Sequence, residues 1–155
     1  MKTIDKLLSE KMMTLVRSNS QSEGQALADA IVEAGVKVIE ITLTTPGALK
    51  IIANLLKNKD LLVGAGTVRT VKDVKRVEDV GASFIVSPDT NEDVIAATKK
   101  LKLVSMPGVS TPTEVGIAED AGADILKLFP ATNWNLSIGK YSGSTYEDCV
   151  CSSGM

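Results

Sequence analysis

Histidine is absent from all 155 residues of this sequence, and its absence removes whole classes of catalytic chemistry. Without histidine there is no Ser-His-Asp or Cys-His nucleophile, no imidazole acid or base, and little scope for a zinc site. General acid–base work is therefore left to Glu, Asp, Lys, Tyr or Cys. The nucleotide fingerprints G-x-x-x-x-G-K-[ST] and G-x-G-x-x-G are also missing, which argues against those two kinds of nucleotide site.

Long apolar runs and an excess of positive charge are missing as well. No run approaches the ~20 residues that a membrane helix needs, and the opening residues lack the apolar segment of a secretory signal. We therefore expect a cytoplasmic protein without a membrane partner. A formal net charge of -2 and a pI of 5.2 argue against nucleic acid as a partner. The length and the 44% hydrophobic content predict one domain with a substantial core.

Cysteine and tyrosine occur only towards the end of the chain. Tyr141, Tyr146, Cys149 and Cys151 all lie beyond residue 136, in a stretch rich in serine and glycine that shows no helical or alternating apolar period. Two closely spaced cysteines are too few for a zinc site, so we interpret them as free thiols. The composition predicts a boundary between residues 1–136 and an atypical C-terminal tail over 137–155, for which disorder is an open alternative.

The first 136 residues repeat a pattern of strand and helix. Continuous apolar runs predict six strands, at Met12–Val16, Val36–Leu43, Leu61–Thr67, Phe84–Ser87, Lys102–Met106 and Ile125–Phe129. Continuous rather than alternating apolar strands are typical of a sheet covered on both faces, and strict alternation with helices predicts parallel pairing.

Helix boundaries are marked by capping signals. Ser20–Glu23 and Thr111–Glu114 have the S/T-x-x-E pattern of a capping box, and Thr45-Pro46 predicts an N-cap followed by proline at the first helical position. Gly35, Gly81 and Gly122 predict helix ends, because glycine readily adopts the left-handed conformation that closes a helix.

Those three glycines belong to one repeated helix-to-strand turn, which favours a closed barrel over an open sheet. Counting five residues beyond each glycine gives Glu40, Val86 and Lys127, on alternate strands and at the same predicted height. In a (β/α)8 barrel, alternate strands supply one interior layer, and catalysis occurs at the carboxyl ends of the strands. The spacing therefore predicts a TIM-barrel type of fold, here with about six β/α units plus the tail, in which Glu40 and Lys127 face each other.

Lys127 and Glu40 are the strongest candidates for catalysis, because each is a lone charge in an apolar strand. A buried amine favours its neutral form and can form a Schiff base with a carbonyl, whereas the alternative is a lysine that reaches water at the rim. Glu40 is a candidate proton shuttle, and the alternative is a structural ion pair with Lys127. Arg17 directly follows the first strand, where its guanidinium suits a carboxylate, although a surface arginine is an equal alternative.

Further residues at strand ends give weaker signals. Thr67 follows the glycine-rich end of the third strand, where the glycines of Gly64-Ala65-Gly66 are explained equally well by close packing. Thr44 and Pro88 mark two other strand ends, where they either shape a pocket or simply turn the chain.

Together these segments resemble one enzyme family over about residues 1–136. The matching motifs occur in order at Val38–Leu43, Val63–Thr67, Phe84–Pro88, Met106–Glu114 and Leu126–Ala131. They resemble the 2-keto-3-deoxy-6-phosphogluconate (KDPG) and 4-hydroxy-2-oxoglutarate (KHG) aldolases. The resemblance implies a class I aldolase on a (β/α)8 barrel, a homotrimer that uses no metal or other cofactor, acting on a small-molecule keto acid. An aldolase of this family cleaves KDPG to pyruvate and glyceraldehyde 3-phosphate, or 4-hydroxy-2-oxoglutarate to pyruvate and glyoxylate.

The same resemblance implies roles for particular residues. Lys127 corresponds to the Schiff-base lysine and Glu40 to the proton-shuttling glutamate, while Arg17 and Thr67 correspond to positions near the pyruvate carboxylate. Pro88 and Phe129 fall on pocket positions. Thr44 stands where many members have an arginine, so recognition of the carboxylate or aldehyde is either altered or rests on Arg17.

The tail is the main departure from the family pattern. A (β/α)8 barrel typically needs at least ~200 residues, and the family's phosphate-holding loops belong to strands seven and eight. We therefore expect a C-terminally truncated barrel with unpaired edges on its first and sixth strands and water in its interior. Three hypotheses follow: an aldolase, an inactive truncated remnant without the phosphate site, or another phosphate-handling barrel enzyme that forms no imine.

Overall fold

The computed structural model describes residues 3–131 and, as backbone, the strand at 149–151. Helices and strands alternate through this part of the chain. The helices are α1 (Thr3–Glu10), α2 (Gln21–Glu33), α3 (Ala48–Leu55), α4 (Val71–Asp79), α5 (Glu92–Lys100) and α6 (Pro112–Asp120). The strands are β1 (Thr14–Val16), β2 (Val38–Thr42), β3 (Leu62–Gly66), β4 (Phe84–Val86), β5 (Val104–Met106), β6 (Gly108–Val109), β7 (Leu126–Leu128) and β8 (Cys149–Cys151).

The strands pair in chain order, and every pair is parallel. One sheet has the order β1-β2-β3-β4-β5 and a second has the order β6-β7-β8. Backbone hydrogen bonds join the two sheets, because Ile125 N–H donates to Ser105 O at 3.2 Å and Lys127 N–H donates to Pro107 O at 2.9 Å. The result is one curved succession of parallel strands with helices between them, the arrangement of a TIM-barrel type of fold.

Alternation along the strands divides the core into two main layers. Residues such as Ile39, Ile41 and Val63 pack with the helices in the larger cluster. The residues one position away form the interior cluster, which includes Val38, Leu62, Phe84, Val86, Val104, Met106 and Ile125. Leu7 of α1 belongs to the interior cluster. This helix therefore closes the amino end of the interior, and the carboxyl ends of the strands are left for a site.

Most of the predicted helix boundaries are confirmed. The side chains that accept a hydrogen bond from the backbone N–H three residues later are those of Ser20, Thr70, Asn91 and Thr111. The predicted terminating glycines all have a left-handed φ, at Gly35, Gly81 and Gly122. These local signals therefore fix where each following strand begins, and so which of its residues face the interior.

The predicted start of α3 is wrong. Thr45 does not cap a helix; the helix begins at Ala48 after Gly47, whose φ of 72° is left-handed. The Thr45 hydroxyl is used elsewhere, because it accepts from the Ser18 N–H at 3.2 Å and lies 3.1 Å from the Thr42 hydroxyl. A side chain that joins two strand ends is thus unavailable to cap its own helix.

The predicted count of strands and the predicted free edge on the sixth strand are also wrong. The fifth predicted strand, Lys102–Met106, is β5. A further strand, β6, follows beyond Pro107, which has no N–H to donate to a ladder and separates the two. The sixth predicted strand, β7, is paired on its other side with β8, in the register Lys127 opposite Val150. The rest of the predicted tail, 137–148 and 152–155, lies outside the described residues.

An acidic side chain fixes the amino end of β7 against β5. Asp124 accepts the Ser105 N–H at 2.8 Å and forms an ion pair with Lys99 of α5. This contact places Lys127 three residues further along, beside β6.

In the described part of the chain, no helix is long and apolar enough to cross a membrane.

Candidate active site

Glu40 projects into the interior from the middle of β2. Only 1% of its surface is exposed, and its Oε1 atom has no hydrogen-bond partner among the described residues. Burial raises the pKa of this carboxyl above its ordinary value, while the positive charges of Lys127 and Arg17 lower it by smaller amounts. A carboxyl group that is hard to ionise but close to cations is suited to exchanging protons near neutral pH.

Lys127 projects into the same interior from β7. Only 7% of the Lys127 surface is exposed, and Gly108 lies opposite Lys127 in the register of β6 and β7. The Nζ atom lies 5.1 Å from the centroid of the Phe129 ring, an arrangement in which the ring attracts the ammonium form. Lys127 and Glu40 interact electrostatically but form no direct salt bridge within the described residues. The amine nitrogen and the carboxyl oxygens therefore do not come within ion-pair distance of each other.

An apolar floor lies beneath these two charges. The residues two positions before them, Val38 and Ile125, belong to the interior cluster together with the ring of Phe84. The expectation that an incomplete barrel would leave Lys127 in water is wrong for this structure, because the floor and the surrounding strands bury it. An amine and a carboxyl above such a floor interact more strongly than the same groups in water.

Arg17 lies immediately after β1, on the carboxyl side of the sheet, and is exposed. Its charge still reaches the interior, since it contributes to lowering the pKa of Glu40. An exposed guanidinium near the buried pair has the geometry to bind a carboxylate.

A group of hydroxyls joins the ends of β1 and β2. Thr44 Oγ1 donates to Thr42 Oγ1 at 3.1 Å, Thr42 Oγ1 lies 3.1 Å from Thr45 Oγ1, and the Ser18 N–H donates to Thr45. Thr42 and Thr45 are buried and Thr44 is exposed. The sequence reasoning missed Thr42 and Thr45, although Thr42, two residues after Glu40, shares its face of the strand.

Thr67, Pro88 and Phe129 follow the carboxyl ends of β3, β4 and β7, and all three are half-buried. Thr67 has a left-handed φ of 57°, which is uncommon for a β-branched residue. Such a conformation is unfavourable and persists only where the surrounding structure imposes it. A Cβ on Gly108 would meet the Pro88 carbonyl carbon at 2.6 Å, so the turn after β4 lies directly on the strand beside Lys127.

The sequence reasoning undervalued one further feature, the glycine pair of β3. A Cβ on Gly66 would overlap the Glu40 carboxylate, and a Cβ on Gly64 would overlap the Phe84 ring. Neither glycine has a left-handed φ, so positions 64 and 66 require glycine for lack of space and not for backbone conformation. A sequence cannot reveal which side chain fills the space beside a glycine, and the signal was therefore ambiguous.

Comparison with known proteins shows which family the chain belongs to. A model of the KDPG and KHG aldolase family matches residues 3–151. The chain belongs to the KDPG and KHG aldolase family. A relative from Rhizobium meliloti (strain 1021), described as a "Probable 2-dehydro-3-deoxy-6-phosphogalactonate aldolase", is 37% identical over 127 residues, 81% of this chain and 60% of the relative.

Two solved structures of aldolases have the same fold. The 2-keto-3-deoxy-6-phosphogluconate aldolase of Zymomonas mobilis ZM4, solved with 3-phosphoglycerate, is 30% identical with a TM-score of 0.83, covering 96% of this chain and 72% of that one. The KDPG aldolase of Legionella pneumophila, with pyruvate captured as a covalent carbinolamine, is 27% identical with a TM-score of 0.80, covering 92% and 71%. The chain spans 54% to 61% of the length of the first three curated relatives.

Proposed function

We propose that this chain carries the Schiff-base chemistry of a class I aldolase acting on a 2-keto acid that yields pyruvate. The observation that carries the proposal is the pair of buried charges, Lys127 and Glu40, on separate strands above an apolar floor. Membership of the family supports the reaction class, and the carbinolamine in the Legionella pneumophila relative supports an imine route.

The proposed reaction begins with attack of the neutral Lys127 amine on the keto carbon of the substrate. The carbinolamine that forms loses water to give an imine, with Glu40 supplying and removing the protons. In the imine, the bond between C3 and C4 breaks as a proton leaves the C4 hydroxyl, which yields an aldehyde and the enamine of pyruvate. Protonation of the enamine at C3 and addition of water then release pyruvate and restore the amine.

Arg17 and Thr67 are proposed to bind the carboxylate of the keto acid, with Pro88 and Phe129 forming the walls of the pocket. Arg17 supplies a charged donor at the carboxyl edge, and Thr67 supplies a hydroxyl just after the end of β3. Thr44 is proposed to take part only through its hydroxyl, which is already bonded to Thr42. The keto acid is either the phosphorylated gluconate or galactonate derivative, or 4-hydroxy-2-oxoglutarate.

Proton exchange at the methyl group of pyruvate tests this proposal without requiring a phosphate site. In deuterium oxide, an imine-forming enzyme should replace those protons with deuterium, because the enamine forms and is reprotonated. We expect exchange in the unmodified chain, its loss in Lys127→Met, and its retention in Lys72→Met, a change of an exposed lysine on α4. Equal exchange in the two variants would contradict the imine route and favour a barrel enzyme without one.

We also propose, from the family resemblance, a homotrimer in the cytoplasm with no nucleic-acid partner. Light scattering coupled to size-exclusion chromatography should give three times the mass of one 16.3 kDa chain. A monomer under the same conditions would contradict the oligomeric part of the proposal and leave the imine chemistry unaffected.

A further inference from the structure

The two glycines of β3 face the interior but make room for different groups. The three atoms nearest to a Cβ built on Gly66 are Oε1, Cδ and Cγ of Glu40, with the Cδ only 2.5 Å away. The three nearest to a Cβ built on Gly64 all belong to the Phe84 ring, with its Cγ at 2.5 Å. Gly66 thus borders the site, whereas Gly64 borders the apolar floor.

The register of β2 and β3 explains why the carboxylate reaches Gly66. Glu40 lies opposite Gly64, and Gly66 lies opposite Thr42, two residues nearer the carboxyl ends of the strands. The Glu40 side chain therefore leans along its strand towards the open end and lies over the bare backbone of Gly66. Any side chain at position 66 would occupy the volume that the carboxylate fills.

We propose that Gly66 is a positioning residue, whose missing side chain forms the slot that holds the Glu40 carboxylate beside the reacting carbon. This inference rests on the proposed function, in which Glu40 moves protons. A general base must lie within hydrogen-bond reach of the proton that it removes, and small displacements are costly. A methyl group at residue 66 would occupy the volume of the carboxylate and displace it from this position.

The variants Gly66→Ala and Gly64→Ala form a matched pair. Both put a methyl group on the interior face of β3, and neither position has the left-handed φ that would strain alanine. Only Gly66→Ala should displace Glu40. Gly116→Ala serves as a neutral control, because a Cβ there meets no atom within 4 Å on helix α6.

Two measurements separate positioning from a general loss of structure. The first is the titration of the Glu40 carboxyl, followed by its 13C NMR signal and assigned with Glu40→Gln; this readout does not depend on activity. The second is the rate of pyruvate methyl exchange, corrected for the folded fraction from a thermal melt. We expect Gly66→Ala to change the Glu40 pKa, because the displaced carboxyl has a different burial and different distances to Lys127 and Arg17, and to slow exchange by ~100-fold or more. Gly64→Ala should change the melt but neither of these quantities in the folded protein.

A rescue variant covers the case in which Gly66→Ala does not fold. Glu40→Ala removes Oε1, Cδ and Cγ, the three atoms that a Cβ at position 66 would meet. Gly66→Ala should therefore cost far less thermal stability in the Glu40→Ala chain than in the unmodified chain, whereas Gly64→Ala should cost the same in both.

An unchanged Glu40 titration in folded Gly66→Ala, or equal losses of stability in the two Glu40 backgrounds, would overturn the inference. The absence of exchange in the unmodified chain is a separate result: it contradicts the aldolase proposal, while the titration still decides where the carboxylate lies.

Discussion

The charge of Lys127 stabilises the ionised form of Glu40, although β3, β4, β5 and β6 stand between the strands that carry the two residues. Neither residue is near the other in the sequence, and they come together because the strands curve around one interior. Burial opposes this attraction and raises the pKa of Glu40 overall. The two groups are thus close enough to influence each other without forming a direct ion pair.

Replacement of Glu40 by glutamine should stabilise the fold at neutral pH and abolish most of the activity. Because the folded carboxyl has a raised pKa, the native state binds a proton more tightly than the unfolded chain, and stability is lost as the pH rises through the folded pKa. Glu40→Gln removes this loss, so its thermal midpoint should exceed that of the unmodified chain at pH 7.5. The difference should vanish as the pH falls below 4.5, where the carboxyl is protonated in both states.

The same variant should slow pyruvate methyl exchange by ~10²- to 10⁴-fold, the range expected for loss of a general base. A variant that is less stable at pH 7.5, or one that retains its exchange rate, would show that Glu40 is a structural ion-pair partner instead.

Removal of the Arg17 guanidinium should weaken binding of the keto acid. Hydrogen bonds to charged groups contribute ~1.5–3 kcal/mol, so Arg17→Ala should raise KM for pyruvate exchange by ~10- to 100-fold with a smaller change in kcat. The acid limb of the pH profile should also move to higher pH, because Arg17 lowers the pKa of Glu40. Arg76→Ala is the matched control, since Arg76 pairs with Asp73 on the outer surface of α4. Equal KM values in the two variants would assign Arg17 to the surface.

The parts of this fold that were predictable from the sequence are those set by local chemistry. The capping side chains and the terminating glycines fix where most helices begin and end, and strict alternation then leads to parallel strands and an interior face. Lys127 and Glu40 could be paired on that basis, because each follows its glycine by the same number of residues.

The parts that could not be predicted depend on long-range contacts. The Thr45 hydroxyl bonds across to Ser18 instead of capping α3, and the glycines of β3 accommodate Phe84 and Glu40. The pairing of β8 with β7 likewise joins segments whose contact no local pattern indicates. In each case the partner lies on a different strand or loop, so composition and spacing carry no signal for it.

Replacement of Thr67 by glycine should stabilise the chain and reduce its activity. A non-glycine residue in the left-handed conformation costs ~1–2 kcal/mol, and the flexibility of glycine in the unfolded state offsets roughly half of the gain. We expect a rise of ~1–3 °C in the thermal midpoint. We also expect weaker binding of pyruvate, because the hydroxyl is lost.

Lys102→Gly is the control for Thr67, because Lys102 also has a left-handed φ, of 60°, and is exposed after α5. It should give a similar rise in stability and leave pyruvate exchange unchanged. If Thr67→Gly matches it in both respects, the left-handed turn at Thr67 has no part in the site.

The most direct test of the Schiff-base proposal is to trap the imine on the chain itself. The unmodified protein is incubated with pyruvate, reduced with borohydride, and analysed by intact mass and by peptide mapping, with Lys127→Met and Lys72→Met treated in parallel. We predict one reduced pyruvate adduct per chain, located on Lys127, present in Lys72→Met and absent from Lys127→Met. An unmodified chain that gains no mass, or an adduct that persists in Lys127→Met, would contradict the account.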